Sequence, residues 1–414
     1  MTVQPFHLGA RPGDGDDEMV DPFAATGYAG NPFPEPGLDT GALYVGHMRE
    51  QVRKLNAWVT GVLAETDPDR GASGPVRPLA LRGSIGVGKT HLLKTLEREL
   101  SRRPHVAVVR KNLPEEGMDR LLLSTLLLGS LPHGDEEVDL PAVPSALPLL
   151  DRIVVVGRSG AREVRESLEA LSEKSLVARP LLQILAEKDR AREADLRAWL
   201  SRWLLRGHTT PTQRNKLGLA KPLEGEGQAI RAVADLMRVA RVARQVQAWF
   251  VLVDQLEDLW RIGVIGAGRR ARFLTDLRSF VDLGLEGAPV AILLAWNTEV
   301  AATGDKIETE YQALWRRLGD PLELPGLEEA DVWPFAEEYL KHARRREGEI
   351  ALRKSFKERL RPNAGDIVAA LRKDPKARLG PQRFASYRLL HHWREAALRV
   401  AHEVHEGQAT NTLR

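Results

Sequence analysis

The chain has 414 residues, 43% hydrophobic and 28% charged, with no cysteine and a net charge of +3. Such a length admits two or three domains and the composition is that of an ordinary globular protein. The lack of cysteine excludes disulfides, thiolate metal sites and a cysteine nucleophile, and no apolar run of about 18 residues or secretory leader marks a membrane, so a cytoplasmic setting is expected.

Residues 1–42 are rich in Gly, Pro and Asp and lack periodicity, which predicts a flexible acidic segment. Residues 1–50 carry eight acidic and two basic side chains, against eighteen basic and eleven acidic over 331–414. From Tyr44 the pattern changes: Val45, Met48, Val52, Leu55 and Val59 line one helical face. A Gly/Pro/Asp-rich linker at 66–78 leads to a short buried strand, Leu79-Ala80-Leu81.

Next comes Gly83-Ser84-Ile85-Gly86-Val87-Gly88-Lys89-Thr90, a full match to the phosphate-binding pattern G-x-x-x-x-G-K-[ST]. Small glycines let such a loop wrap a phosphate chain with its backbone N–H groups pointing inward. Lys89 is expected on the β/γ-phosphates and the Thr90 hydroxyl on Mg²⁺. Leu92, Leu93, Leu96 and Leu100 recur at helical spacing, so a helix begins at the loop and its N-terminus faces the phosphates. His91 is close enough to touch the nucleotide through its backbone.

Val106-Ala107-Val108-Val109 is the second predicted strand and Trp249-Phe250-Val251-Leu252-Val253-Asp254 the third. About 140 residues separate them, far more than a crossover needs. Much of this insertion reads as helix. Leu196, Trp199, Leu200, Trp203 and Leu204 form one apolar face over 189–205, with Gly207 placed as a C-terminal cap and the tryptophans expected in the core. Ile153-Val154-Val155-Val156 reads as an extra strand or a buried helical turn.

Asp254 ends the third strand, where it would hold Mg²⁺ opposite Thr90. A base for activating water is expected beyond it. Glu257 is preferred for that role, and Gln255 is the alternative that would orient water without taking its proton. Val290-Ala291-Ile292-Leu293-Leu294-Ala295-Trp296-Asn297 is the fourth strand, and Asn297 would lie beside Asp254. Arg316 and Arg317 close a helix before a last short strand at Leu322-Glu323-Leu324. Either arginine would suit transition-state charge in a neighbouring subunit. Continuous apolar strands of this kind suit a parallel sheet covered on both faces. From Glu328 the chain reads as helical, with segments near 329–346, 352–360, 364–373 and 382–405, and Arg383 starting the last of them within reach of a γ-phosphate.

In order and spacing, residues 83–90, 251–257, Asn297, Arg316 or Arg317, and Arg383 resemble the AAA+ ATPases, most closely the origin-recognition, transposition-regulator and STAND-like branch. The likeness covers roughly 43–111 and 248–400, and Asn31-Pro32-Phe33 resembles that branch's entry segment. It implies an α/β P-loop fold with a parallel sheet flanked by helices, a large helical insertion and a C-terminal helical lid. The expected divisions are 1–42, 43–111, 112–247, 248–327 and 328–414. It also implies ATP and Mg²⁺, with residues 83–90 as Walker A, 251–254 as Walker B, Asn297 as sensor 1, Arg316 or Arg317 as arginine finger and Arg383 as sensor 2. The usual adjacent Asp-Glu pair is absent, so slow turnover is expected. Asn215-Lys216-Leu217-Gly218 lacks the aspartate of a guanine-reading motif, which favours ATP over GTP.

The functional expectation is an ATP-controlled switch or motor that forms homo-oligomers on ATP binding and acts with a protein partner. The assembly is expected to act on double-stranded DNA, as in transposition or defence, through Arg238/Arg241/Arg244, Arg269/Arg270/Arg272 and Lys341 with Arg344–Arg346. The alternative is a STAND-like regulator of a protein partner without DNA, and a weaker third reading is a small-molecule kinase.

Overall fold

The computed structural model describes residues 22–33, 46–70, 74–112, 149–159, 162–173, 175–205, 208–223, 228–260, 266–298, 311–343, 349–379 and 383–412. Tyr44, Val45, Gly207, Arg344–Arg346 and Gly380–Gln382 therefore lie outside the described residues, as does the first part of the insertion.

Five parallel strands form one sheet in the order β2-β3-β4-β1-β5. They are β1 (Leu79–Gly83), β2 (Val106–Asn112), β3 (Ala248–Asp254), β4 (Val290–Asn297) and β5 (Leu322–Glu323). Each apolar run serves two cores because successive side chains point to opposite faces. In β3, Phe250 and Leu252 join one cluster while Trp249, Val251 and Val253 join the other. In β4, Ala291, Leu293 and Ala295 divide the same way from Val290, Ile292, Leu294 and Trp296.

Helices α1 (Arg49–Glu65) and α2 (Lys89–Ser101) cover the first face through Leu55, Val59, Val62, Leu92, Leu93 and Leu96. The second face takes the remaining core helices. The chain moves one way across the sheet from β1 to β2 and the opposite way thereafter. Right-handed crossovers then require the later helices to lie on the other face from α2.

The insertion supplies α3 (Leu149–Arg158), α4 (Arg162–Leu171), α5 (Ala178–Ala186), α6 (Arg190–Leu204), α7 (Pro211–Lys216) and α8 (Gln228–Val242). All but α7 share a single hydrophobic cluster with the second sheet face, with α9 (Ala267–Leu285) and with α10 (Gln312–Leu318), so the described part of the insertion has no separate core. Residues 153–156 are helical, which resolves the open choice in favour of a buried turn. α6 starts on an Asp189 cap whose side chain accepts from the Ala191 N–H. Trp203 is buried as expected, whereas Trp199 is only half-buried and faces the Lys216 ammonium.

The basic stripe of α8 has an internal role. Arg241 is 6% exposed and donates to the Thr66 and Asp67 carbonyls at 2.8 and 2.5 Å. Arg238 pairs with Asp235 and Arg244 with Asp69. Arg241 and Arg244 tie the end of α8 to the α1 exit loop, while the Arg238 pair is internal to α8, so buried Arg241 is not the DNA-facing residue that the stripe suggests.

The third core belongs to α11 (Val332–His342), α12 (Ile350–Leu360), α13 (Asn363–Lys373) and α14 (Ser386–Thr412). Residues 22–33 are built into it and are not a free tail. Phe33 stacks on Trp393 at 5.9 Å, Tyr28 meets Phe356 edge-on, and the Asn31 amide donates to the Arg394 carbonyl. Aromatic burial outweighs the Pro/Gly composition of this stretch. No helix among the described residues is long and apolar enough to cross a membrane.

Candidate functional site

Parallel strands deliver their C-terminal ends to one sheet edge, where the loops after β1, β3 and β4 meet. A crevice outside that edge is where open α/β sheets place ligands. Here it is a cleft of about 290 Å³ between the sheet edge and the C-terminal helices. Gly86, Lys89, Thr90, Asp254, Glu257 and Asn297 line it from the core, and Phe335, Tyr339, Ser386, Tyr387 and Leu390 line it from α11 and α14.

Residues 83–90 form the turn that the glycine spacing suggests. Gly86 and Gly88 have φ of +83° and +99°, and the Val87 N–H turns back to the Ser84 carbonyl. Gly88 stands at the N-cap of α2 with no side-chain cap, so the first-turn N–H groups of that helix are left for an anion. Lys89 is 8% exposed, and its ammonium donates to the Gly83 and Ser84 carbonyls at 2.7 and 2.8 Å. Thr90 is exposed at the cleft beside His91, and Ile85 is exposed at the loop tip.

Asp254 is 2% exposed. Its Oδ1 accepts from the Gln255 N–H at 2.9 Å, while Oδ2 has no hydrogen-bond partner among the described residues. A buried, half-satisfied carboxylate oxygen beside a cleft needs a cation or donor. With the Thr90 hydroxyl on the same cleft, this oxygen-only pair fits a hard divalent ion such as Mg²⁺.

Asn297 ends β4, between β1 and β3, paired in register with Gly83. It therefore sits beside Gly83 and lines the same cleft as Asp254. Its backbone N–H donates to Glu257 Oε2 at 3.2 Å and its side-chain amide to Oε1. Burial pushes the Glu257 carboxyl up from its ordinary value. Its own backbone N–H, the Asn297 N–H and the Lys89 charge oppose that shift, and Asp258 adds to it. Gln255 lines the cleft in an exposed position with φ of +57°. No family model matches the chain, and no curated protein is significantly similar to it.

Three expected residues stand apart from this cleft. Arg317 pairs with Asp282 of α9 and donates to the Ala313 carbonyl at 2.6 Å. Arg316 is exposed on the same helix, and neither arginine lines the cleft. Arg383 precedes α14 instead of starting it. It is exposed and outside the cleft lining, because the bridge between Leu327 and Phe384 holds its segment extended. The C-terminal element reaching the loop is Ser386, whose N–H donates to the Gly86 carbonyl at 2.8 Å together with its hydroxyl. Tyr387 lies against Gly86, and a Cβ there would stand 2.5 Å from the Tyr387 Cδ1.

Sequence reasoning missed Ser386, Tyr387, Phe335, Tyr339 and Lys94 as cleft residues. Phe335 and Tyr339 follow i, i+4 spacing on an apolar helix face, which is also the signature of core. Asn215 and Lys216 belong to α7 and do not line the cleft.

Proposed function

We propose that the chain is a Mg²⁺-dependent ATP-binding protein of P-loop, AAA+-like build, acting as a nucleotide-controlled switch on a protein partner. One observation carries the reading. The loop 83–90, the half-satisfied Asp254 carboxylate, Asn297 and Glu257 converge on a single cleft at the C-terminal edge of a parallel sheet. The loop and the α2 N-terminus would take the phosphates, with Lys89 leaving its two carbonyls to meet them. Asp254 and Thr90 would hold Mg²⁺, which supplies charge neutralisation on the phosphate oxygens when bound. Phe335, Tyr339 and Leu390 offer an apolar wall suited to a flat base.

The C-terminal helices act as a lid in this reading, since Ser386 and Tyr387 touch the loop directly. Arg316, exposed and away from its own cleft, is the arginine free to serve a neighbouring copy in an ATP-induced homo-oligomer. DNA is the lesser partner in this reading, because Arg241 at the centre of the α8 stripe is buried on backbone carbonyls, which leaves Arg269, Arg272 and Arg278 of α9 and Lys341 among the exposed basic groups. The test is calorimetric titration of ATP with and without Mg²⁺ into the wild type, Lys89→Ala and Asp254→Asn. Binding that is lost in Lys89→Ala and loses its Mg²⁺ dependence in Asp254→Asn supports the reading. A folded wild type that binds no ATP would sink it.

A further inference from the structure

The two acidic-or-amide candidates after Asp254 are disposed very differently. Glu257 lines the cleft but is only 6% exposed. Three N–H groups converge on its carboxylate: its own, the Asn297 backbone N–H and the Asn297 side-chain amide. A carboxylate has about four acceptor positions, so most are already occupied. Gln255 is the reverse. It is exposed in the cleft immediately beside the metal-fitting Asp254, its N–H anchored to Asp254 Oδ1 at 2.9 Å. Its φ of +57° is a conformation that a glutamine adopts only at a cost. The Asp258 N–H closes the following turn on the Gln255 carbonyl at 3.0 Å, which holds that conformation in place. Backbone strain kept at a cleft-lining position points to a role for the side chain.

We propose that Gln255, not Glu257, is the residue that positions the attacking water, and that Glu257 is a positioning residue acting through Asn297. This rests on the ATP reading of the cleft. A glutamine amide can accept one hydrogen bond from water and donate another to a phosphate oxygen, but it takes no proton. The water oxygen bonds to the γ-phosphorus as the bond from that phosphorus to the β–γ bridging oxygen breaks. ADP departs with the bond's electron pair, and the water proton passes to an oxygen of the transferred phosphoryl group, giving inorganic phosphate. Without a dedicated base, turnover is slow.

The experiment compares wild type, Gln255→Ala, Gln255→Gly and Glu257→Gln by three readouts. These are steady-state ATP hydrolysis, calorimetric ATP affinity, and the ratio of affinities for ADP with aluminium fluoride and ADP with beryllium fluoride. Only the aluminium fluoride complex mimics the in-line water. Gln255→Ala should lower kcat by about 100-fold with KM and ATP affinity unchanged, and should reduce the aluminium-to-beryllium ratio. Gln255→Gly should do the same while raising the urea midpoint, since strain is released. Glu257→Gln, which keeps one acceptor for Asn297, should lower kcat only about tenfold, whereas losing a true base costs about 100- to 10,000-fold. Gln255→Ala with wild-type turnover and an unchanged fluoride ratio overturns the proposal, as does a Glu257→Gln loss of the full base size. A wild type that fails to bind ATP overturns the underlying reading instead, and that outcome is separate because the affinity is measured first.

Discussion

Replacing Gly86 and Gly88 by alanine, singly, separates backbone strain from contact with the C-terminal helices. Both glycines have positive φ, +83° and +99°. A left-handed L-residue costs about 1–2 kcal/mol, so each variant bears that much. Only Gly86 has a neighbour in the way. An added Cβ would meet Tyr387 Cδ1 at 2.5 Å, Cε1 at 2.8 Å and the Ala385 Cβ at 3.1 Å, while at Gly88 nothing lies within 4 Å. Overpacking of this kind adds about 1–3 kcal/mol. Gly86→Ala should therefore cost about 2–5 kcal/mol and Gly88→Ala about 1–2 kcal/mol. Urea unfolding at constant slope reads both values. Adding Tyr387→Ala to Gly86→Ala should return the overpacking part, so the double-mutant cycle shows a coupling of about 1–3 kcal/mol. No such coupling should appear with Gly88→Ala. Equal costs for the two glycines, with Tyr387→Ala simply additive to within about 0.5 kcal/mol, would refute the docking of α14 on the 83–90 loop.

Other expectations follow from the packing. Arg241→Ala removes two charge-assisted bonds to the Thr66 and Asp67 carbonyls, and should cost about 3–4 kcal/mol by urea unfolding. The salt slope of any duplex DNA binding should not change, whereas a fall in that slope of about one would return this arginine to nucleic acid. Phe33→Ala empties a fully buried ring site stacked on Trp393, and should destabilise by about 3–5 kcal/mol; a neutral result would mean that 22–33 is dispensable to the bundle. Burial raises the Asp235 carboxyl above its ordinary value, against the Leu176 N–H and Arg238. Ionised Asp235 thus costs stability at neutral pH, and the cost disappears as pH falls through the raised folded value toward 3.8. Wild type should gain stability relative to Asp235→Asn over that acid range, and the opposite trend in paired unfolding curves would contradict the burial argument.

What was legible in the sequence is what contiguous residues determine. The phosphate-loop pattern, the apolar runs at 249–254 and 290–297, and the helical faces at 92–100 and 196–204 all depend on neighbours within one element. Asn297 could be placed beside Asp254 because both end apolar strands of one parallel sheet. The misreadings have the opposite character. Arg238, Arg241 and Arg244 recur every third residue like a basic surface row, yet Arg241 is defined by carbonyls about 175 positions away. Ser386 reaches Gly86 across 300 residues of chain, so no local signal marks it. The glycines and prolines of the N-terminal segment suggest a free tail, although Phe23, Tyr28 and Phe33 recur every fifth residue within it. Those three rings were the overlooked signal that it packs.

The choice between Gln255 and Glu257 shows why residue type and spacing alone do not settle a site. A strand that continued straight past Asp254 would point residue 255 to the face opposite 254. Glu257 would then share the face of 255 and both would leave the cleft. The positive φ at Gln255 breaks the alternation, so Asp254 and Gln255 both line the cleft and the chain turns directly into the short 3-10 helix Leu256–Trp260. That turn brings Glu257 back under Asn297. Non-glycine residues visit this conformation rarely, so neither residue type nor spacing marks which of the two stands open to the cleft. The dihedral at residue 255 gives the exposed cleft position to the amide and the buried one to the carboxylate.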